Sequence, residues 1–219
     1  MRLIILACFS FNLVAHPTLK AGYPTGFSDE LPGKAGNSLR SQLLYCIEQR
    51  SNLHWSWQSY PTTRLFHSLA SGDLDLVYPA IFSAERETYA IASERLFYVR
   101  NLWLSKASSP TPTPEKSIVV KRGSLQAEQL KERGFVKLVL VEDFRTQLDM
   151  LDAGRADLAL IPEETFLSLQ AQRKQRYSRL EFNKVAGGFY LSKRANTAFL
   201  PALNQAIQGC LPQFNPGEN

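Results

Sequence analysis

The side chain best placed to grip an anion is Arg86, in the run Ser83-Ala84-Glu85-Arg86-Glu87. Ser83 is a good helix N-cap, and Glu85 and Glu87 suit the positive end of a short helix, so Arg86 can turn back toward the preceding strand end. A guanidinium gives a planar, two-pronged grip on a carboxylate. The plainer alternative is a surface arginine paired with Glu85 or Glu94. Ser124 follows Gly123 at a strand-to-helix turn, where a hydroxyl and free backbone N–H groups can meet an anion. The same place suits an ordinary helix N-cap, and both roles can hold at once. Tyr23, Tyr78 and Phe82 stand at strand ends, as pocket walls or as core. Arg64, after Pro61-Thr62-Thr63, either points inward from a helix start or lies on the surface. Asp75 and Asp157 suggest paired carboxylates for acid-base work, yet their shared position after a glycine points to turn capping.

Known catalytic patterns are missing. The sequence has no Gly-x-Ser-x-Gly, His-Glu-x-x-His or Cys-x-x-Cys, and its only histidines are His16, His54 and His67. Metal-ligand spacing is missing too, so neither a metal nor a cofactor is expected. With 25 Lys and Arg against 20 Asp and Glu, the formal charge is +5, which can help attract an anionic solute. The densest basic run (Arg173, Lys174, Arg176, Arg179) lacks interleaved aromatics and reads as a solvated helix face, not a nucleic-acid surface.

The elements that must position these groups begin after a segment with the layout of an export signal: Met1-Arg2, an apolar run from Leu3 to Val14 and a small Ala15. A secretory leader is therefore expected over residues 1–15, too short to span a bilayer; a buried first strand is the alternative. Export would put Cys46 and Cys210 in an oxidising compartment, although spacing alone does not say whether they meet. At 219 residues, with 44% hydrophobic and 21% charged, the chain has material for one large folded domain or two small ones.

Two segments repeat one another: LASGDLDLVYP at 69–79 and LDAGRADLALIP at 151–162. Each reads as a helix closed by a left-handed glycine (Gly72, Gly154), a short turn with an aspartate, and a buried strand. The helix before each is amphipathic, with Leu65, Phe66 and Leu69 on one face in the first and Phe144, Leu148 and Leu151 in the second, where Asp143 is the N-cap. Strands are expected at 20–23, 53–58, 97–105, 118–121, 136–141 and 189–191, and helices at 38–49, 125–133 and 198–211. Pro110, Pro112 and Pro114 mark a connector, and Gly187-Gly188 a place to bend. Alternating strands and helices imply an α/β chain of two related lobes with parallel sheets.

With these motifs in hand, the chain resembles the family 3 extracellular solute-binding proteins, which have the type II periplasmic binding fold. The likeness rests on the helix-Gly-x-x-Asp units, on SAERETYAIASERLFY (83–98), VVKRGS (119–124) and GRADLALIPEE (154–164), and spans nearly the whole chain after residue 15. It implies a discontinuous first lobe (16–106 and 187–219), a second lobe (107–186), and crossings near 106–115 and 183–187. It places Cys46 and Cys210 in the same lobe. It also implies a monomeric periplasmic receptor that closes on a small polar, carboxylate-bearing solute and serves an ABC permease or a membrane sensor. Arg86 would hold the carboxylate, Ser124 would contact it from the second lobe, and Tyr23, Tyr78 and Phe82 would wall the pocket. Pro79 and Ala80 make that pocket drier than usual. Pro162 stands where amino-acid-binding members carry an ammonium-holding aspartate, with Glu163 beside it as the only substitute, so an amino acid ligand is not expected. A cleft enzyme resembling cyclohexadienyl dehydratases, using Glu163 as acid or base, is the alternative.

Overall fold

The computed structural model describes residues 18–27, 31 and 38–214. The leader expected over 1–15 lies outside them. The chain runs β1 (Thr18–Pro24), α1 (Leu39–Ser51), β2 (His54–Tyr60), α2 (Thr62–Ser71), β3 (Leu76–Ile81), a 3-10 turn (Arg86–Thr88), β4 (Ala90–Ala92) and β5 (Phe97–Ser105). It continues through β6 (Ile118–Lys121), α3 (Leu125–Glu132), β7 (Leu138–Val141), α4 (Phe144–Asp152), β8 (Leu158–Pro162), α5 (Glu163–Leu167) and α6 (Ala171–Lys174). The last elements are β9 (Ser178–Ser192) and α7 (Leu200–Phe214).

Period-two alternation divides each lobe's sheet between two cores. In the first lobe, Leu76, Tyr78, Phe189 and Leu191 pack with α1 and α7 on one face. Val77, Ala80 and Tyr190 meet Leu65 and Leu69 of α2 on the other. In the second lobe, Val119, Ala159 and Ile161 face Leu148 and Leu151 of α4, whereas Ile118, Val120, Leu158 and Leu160 face Ala127 and Leu130 of α3. Burying one such leucine is worth about 2 kcal/mol, so these stripes hold the helices in place. Strand pairing is parallel for β1 with β2 and β3, and for β6 with β7 and β8.

The Leu-x-x-Gly-x-x-Asp repeat performs the same mechanical task twice. Gly72 (φ 85°) and Gly154 (φ 67°) take the left-handed conformation after their helices. The aspartates do not cap their own turns, as the sequence suggests; each reaches the neighbouring parallel strand. Asp75 Oδ2 accepts the backbone N–H of Lys20 at 2.7 Å, and Asp157 Oδ2 accepts that of Ser117 at 2.8 Å. Lys20 and Ser117 return the bond by accepting from the aspartate N–H groups. Each pair thereby sets the register of two strands that are not adjacent in sequence.

Two long strands run between the lobes. The hydrogen-bonded strand order is β2-β1-β3-β9-β5-β8-β6-β7, a single path with β4 also on β9. β5 pairs β9 along its whole length, and Leu102, Trp103 and Leu104 already belong to second-lobe cores. β5 thus reaches second-lobe cores from Leu102 onward, before the proline-rich stretch begins. The return runs through the middle of β9, which is 15 residues long where three were expected. Its polar, largely exposed first half hides the strand from a periodicity search. Gly187 is not a bend: a Cβ there would meet Phe97 Cε2 at 2.4 Å and the Ala80 carbonyl at 2.7 Å. Two edges also move. Val136 is 80% exposed and leaves β7 to start at Leu138, and Ser38 caps α1 by accepting the Ser41 N–H.

A Cys46–Cys210 disulfide ties α1 to α7 across a separation of 164 residues, with Cα atoms 6.1 Å apart. Closing so long a loop restricts the unfolded chain, so reduction should cost about 2–5 kcal/mol. We expect reductant, or the double change Cys46→Ser with Cys210→Ser, to lower the melting temperature measured by calorimetry; an unchanged melting temperature would refute the link.

Candidate functional site

In sheets of this kind the carboxyl ends of parallel strands form the ligand crevice. The two lobes here turn those ends toward one another. Pro24 to Phe27 after β1 and Pro79 to Ile81 of β3 line a cleft of about 630 Å³ from the first lobe. Lys121 closing β6, Asp143 after β7 and Pro162 closing β8 line it from the second. That volume lies within the range of small-molecule sites. The lobes touch at its edge: the Gly123 turn sits so close to α2 that a Cβ would lie 2.6 Å from Thr63 Oγ1.

Arg86 and Ser124 both line this cleft. Arg86 is 3% exposed, with its guanidinium carbon 3.7 Å from the centroid of the Phe66 ring, and it donates to the Ile81 carbonyl at 3.2 Å. Its remaining face meets Glu128 of α3 at 3.7 Å, so its counter-charge comes from the opposite lobe and not from Glu85 or Glu94. Ser124 caps α3, accepting the Ala127 N–H at 3.3 Å and donating to the Lys121 carbonyl at 2.7 Å.

The other sequence-expected contacts fall outside the cleft lining. Tyr23 is core, edge-on to Trp57 at 6.3 Å. Tyr78 is 1% exposed and stacks at 4.8 Å on Phe189, and Phe82 packs on Tyr190 at 5.3 Å. These rings sit on the core-facing phase of their strands. Arg64 is exposed over Tyr60, one helix position away from the inward Leu65 and Phe66. Glu163 pairs with Arg100 at 3.4 Å, and it is Glu164, one step round the start of α5, that lines the cleft. Neighbouring helix positions point about 100° apart, which is enough to exchange the two glutamates.

Several lining residues carried no flag in the sequence. Arg40, in the first turn of α1, meets both carboxylate oxygens of Glu164 at 3.4 Å across the cleft. Phe27 and Phe97 lie under its guanidinium at 5.5 and 6.0 Å. Lys121 faces Phe144 at 5.3 Å. The rule that strand carboxyl ends face the crevice would have pointed to Lys121, but Arg40 and Phe66 lie on helices and depend on how those helices dock.

Electrostatics across the lobes are uneven. Burial pushes the Glu128 carboxyl up to about 7; the Arg86 guanidinium opposes this, and the Glu85 carboxylate adds to it. Glu128 Oε2 is buried without a hydrogen-bond donor, since the carboxylate beside it can only accept when ionised. Burial likewise pushes the Lys121 ammonium down, against the pull of Asp143 and Glu142.

No family model matches the sequence, and no curated protein matches it either. Solved structures do match in shape. A histidine kinase sensor domain similar to periplasmic binding proteins aligns at TM-score 0.76 and 18% identity, covering 92% of this chain and 94% of its own. The fold is that of the two-lobed periplasmic binding proteins. The GluR0 ligand-binding core from Nostoc punctiforme, in complex with L-glutamate, aligns at 0.73 and 18% identity over 90% of this chain and 97% of its own. The substrate-binding protein of an amino acid ABC transporter aligns at 0.69 and 17% identity over 90% and 97%.

The raised Glu128 carboxyl has a definite sign. A proton held to about pH 7 in the fold, but only to the ordinary 4.5 when unfolded, stabilises the fold fully below the lower value. That contribution is lost as pH rises through the higher value. Glu128→Gln should therefore match the parent's melting temperature in acid and exceed it increasingly from about pH 5 to 8. A constant difference across that range, measured by scanning fluorimetry, would refute the assignment.

Proposed function

We propose that this protein is an exported, periplasmic receptor that captures a small carboxylate-bearing solute by closure of its two lobes. The observation that carries this reading is the cleft, which both lobes line and which two oppositely charged pairs, Arg40 with Glu164 and Arg86 with Glu128, already span. A solute touching both walls favours the closed state, and a partner protein can then read that state. An ABC permease and a membrane sensor are the two partners that the similar folds suggest. Among the described residues no helix is long and apolar enough to cross a membrane. Arg86 and Ser124 are assigned to opposite walls of the site.

The dehydratase-like alternative asks Glu163 for acid-base chemistry at the cleft. Glu163 is instead held by Arg100 and lies outside the lining, which favours binding over turnover.

The test is a thermal-shift screen of organic acids, amino acids and polyamines, followed by small-angle scattering. At about 100 times the dissociation constant a ligand stabilises the fold by about 2.7 kcal/mol, a shift of several degrees for a chain of this length. At least one organic acid should produce that shift and reduce the radius of gyration. Absence of a shift with every class would overturn the receptor reading.

A further inference from the structure

We propose that Lys121 is the anchor for the ligand's anionic group and that the cleft selects an aromatic or apolar monoanion without an ammonium group. The proposal rests on the receptor reading above and narrows it to one ligand class.

The cleft's cations are not equivalent. Arg86 is engaged on three sides, by the Phe66 ring, the Ile81 carbonyl and Glu128. Arg40 is met by Glu164. Lys121 is different: among the described residues its ammonium makes no ion pair and no hydrogen bond; the Phe144 ring lies 5.3 Å away, and Asp143 and Glu142 act on it only through their charge. It closes β6 at the mouth of the cleft and is only partly exposed. An ammonium withdrawn from water without an acceptor is destabilised, and a ligand carboxylate supplies the missing acceptor. The lowered proton affinity of this lysine agrees with that geometry.

The carboxylates argue for the second half of the proposal. Glu164 and Glu128 each face an arginine. Asp143 caps α4, accepting the Thr146 N–H at 2.7 Å and its hydroxyl at 3.0 Å. Its remaining field already acts on Lys121, so an ammonium brought to it would lie beside a like charge. Pro162 offers neither a donor nor a charge at the end of β8. Much of the remaining wall is apolar, with Phe27, Phe66, Phe97, Phe144, Val99 and Leu125 lining the space from both lobes, and its other polar groups, such as Thr62, Gln126 and Ser168, are uncharged. Such walls stabilise an apolar body by the area they remove from water.

Three probes with one carbon frame separate the contributions: 3-phenylpropionate, L-phenylalanine and phenethylamine. Calorimetry on the full chain should show 3-phenylpropionate binding at least about tenfold more tightly than L-phenylalanine, with no binding of phenethylamine. Lys121→Met should weaken 3-phenylpropionate by about tenfold or more, and Lys121→Arg should restore most of the loss. The melting temperature of each free variant verifies that it folds, and the wild-type ranking of the three probes tests the ligand class without any variant. L-phenylalanine binding as tightly as 3-phenylpropionate, or a folded Lys121→Met variant with unchanged affinity, overturns the proposal. If an organic acid from the wider screen binds but 3-phenylpropionate does not, the ligand class is wrong while the receptor reading stands. If nothing in either set binds, the receptor reading itself fails.

Discussion

The antiparallel pairing of β5 with β9 is the constraint on which the rest of the molecule depends. These two strands are the only hydrogen-bonded link between the sheets of the two lobes among the described residues. Their register shifts at Asn101/Leu102, where they pass from one lobe to the other. Buried amides cannot be left unpaired there, and they are not. Gln126 donates to Asn101 at 2.9 Å, Asn101 to Asn183 at 2.7 Å, and Asn183 to Gln129 at 2.9 Å. This chain of amides joins both crossing strands to α3, the helix that carries Ser124 and Glu128. Any change in the angle between lobes must therefore act on a satisfied polar network and on the cleft wall together.

The facing walls carry complementary charge, with arginines on the first lobe and glutamates on the second. The two pairs differ in what they can contribute. Glu164 is 72% exposed, so its pairing with Arg40 is screened and weak. Arg86 is almost wholly buried, and its partner Glu128 is mostly so, which makes their contact sensitive to protonation. One face of the Arg86 guanidinium is met by the protein's own carboxylate from the opposite wall.

The duplicated Leu-x-x-Gly-x-x-Asp unit shows how one short motif builds both lobes. In each, the glycine ends a helix in a conformation that side chains disfavour, and the aspartate then locks the following strand to a distant parallel partner. The result brings strand carboxyl ends from both lobes to one crevice. The residues that end these strands at the crevice, Lys121 and Pro162 among them, lie apart from the aspartates that set the register.

Local patterns were enough to indicate the two α/β lobes, the helix at 144–152 with its Asp143 cap and the capping by Ser124. Each of these follows from periodicity or capping chemistry within a few residues. Other features escaped because they arise between segments far apart in the chain. β9 was mostly missed, since its first half is polar and becomes a strand only by pairing with β5. Tyr23, Tyr78 and Phe82 pack in cores because both faces of the first-lobe sheet are covered by helices, which a strand end by itself does not reveal. Glu163 and Glu164 exchanged roles through a single step around a helix start. The partner of Arg86 lies 42 positions along the chain on another lobe, a distance bridged only when the crossing strands bring α3 over the 3-10 turn. The sequence by itself determined the elements and the kinds of charge at their ends, because those depend on neighbours in the chain; which charges meet was decided by the packing of two lobes across β5 and β9.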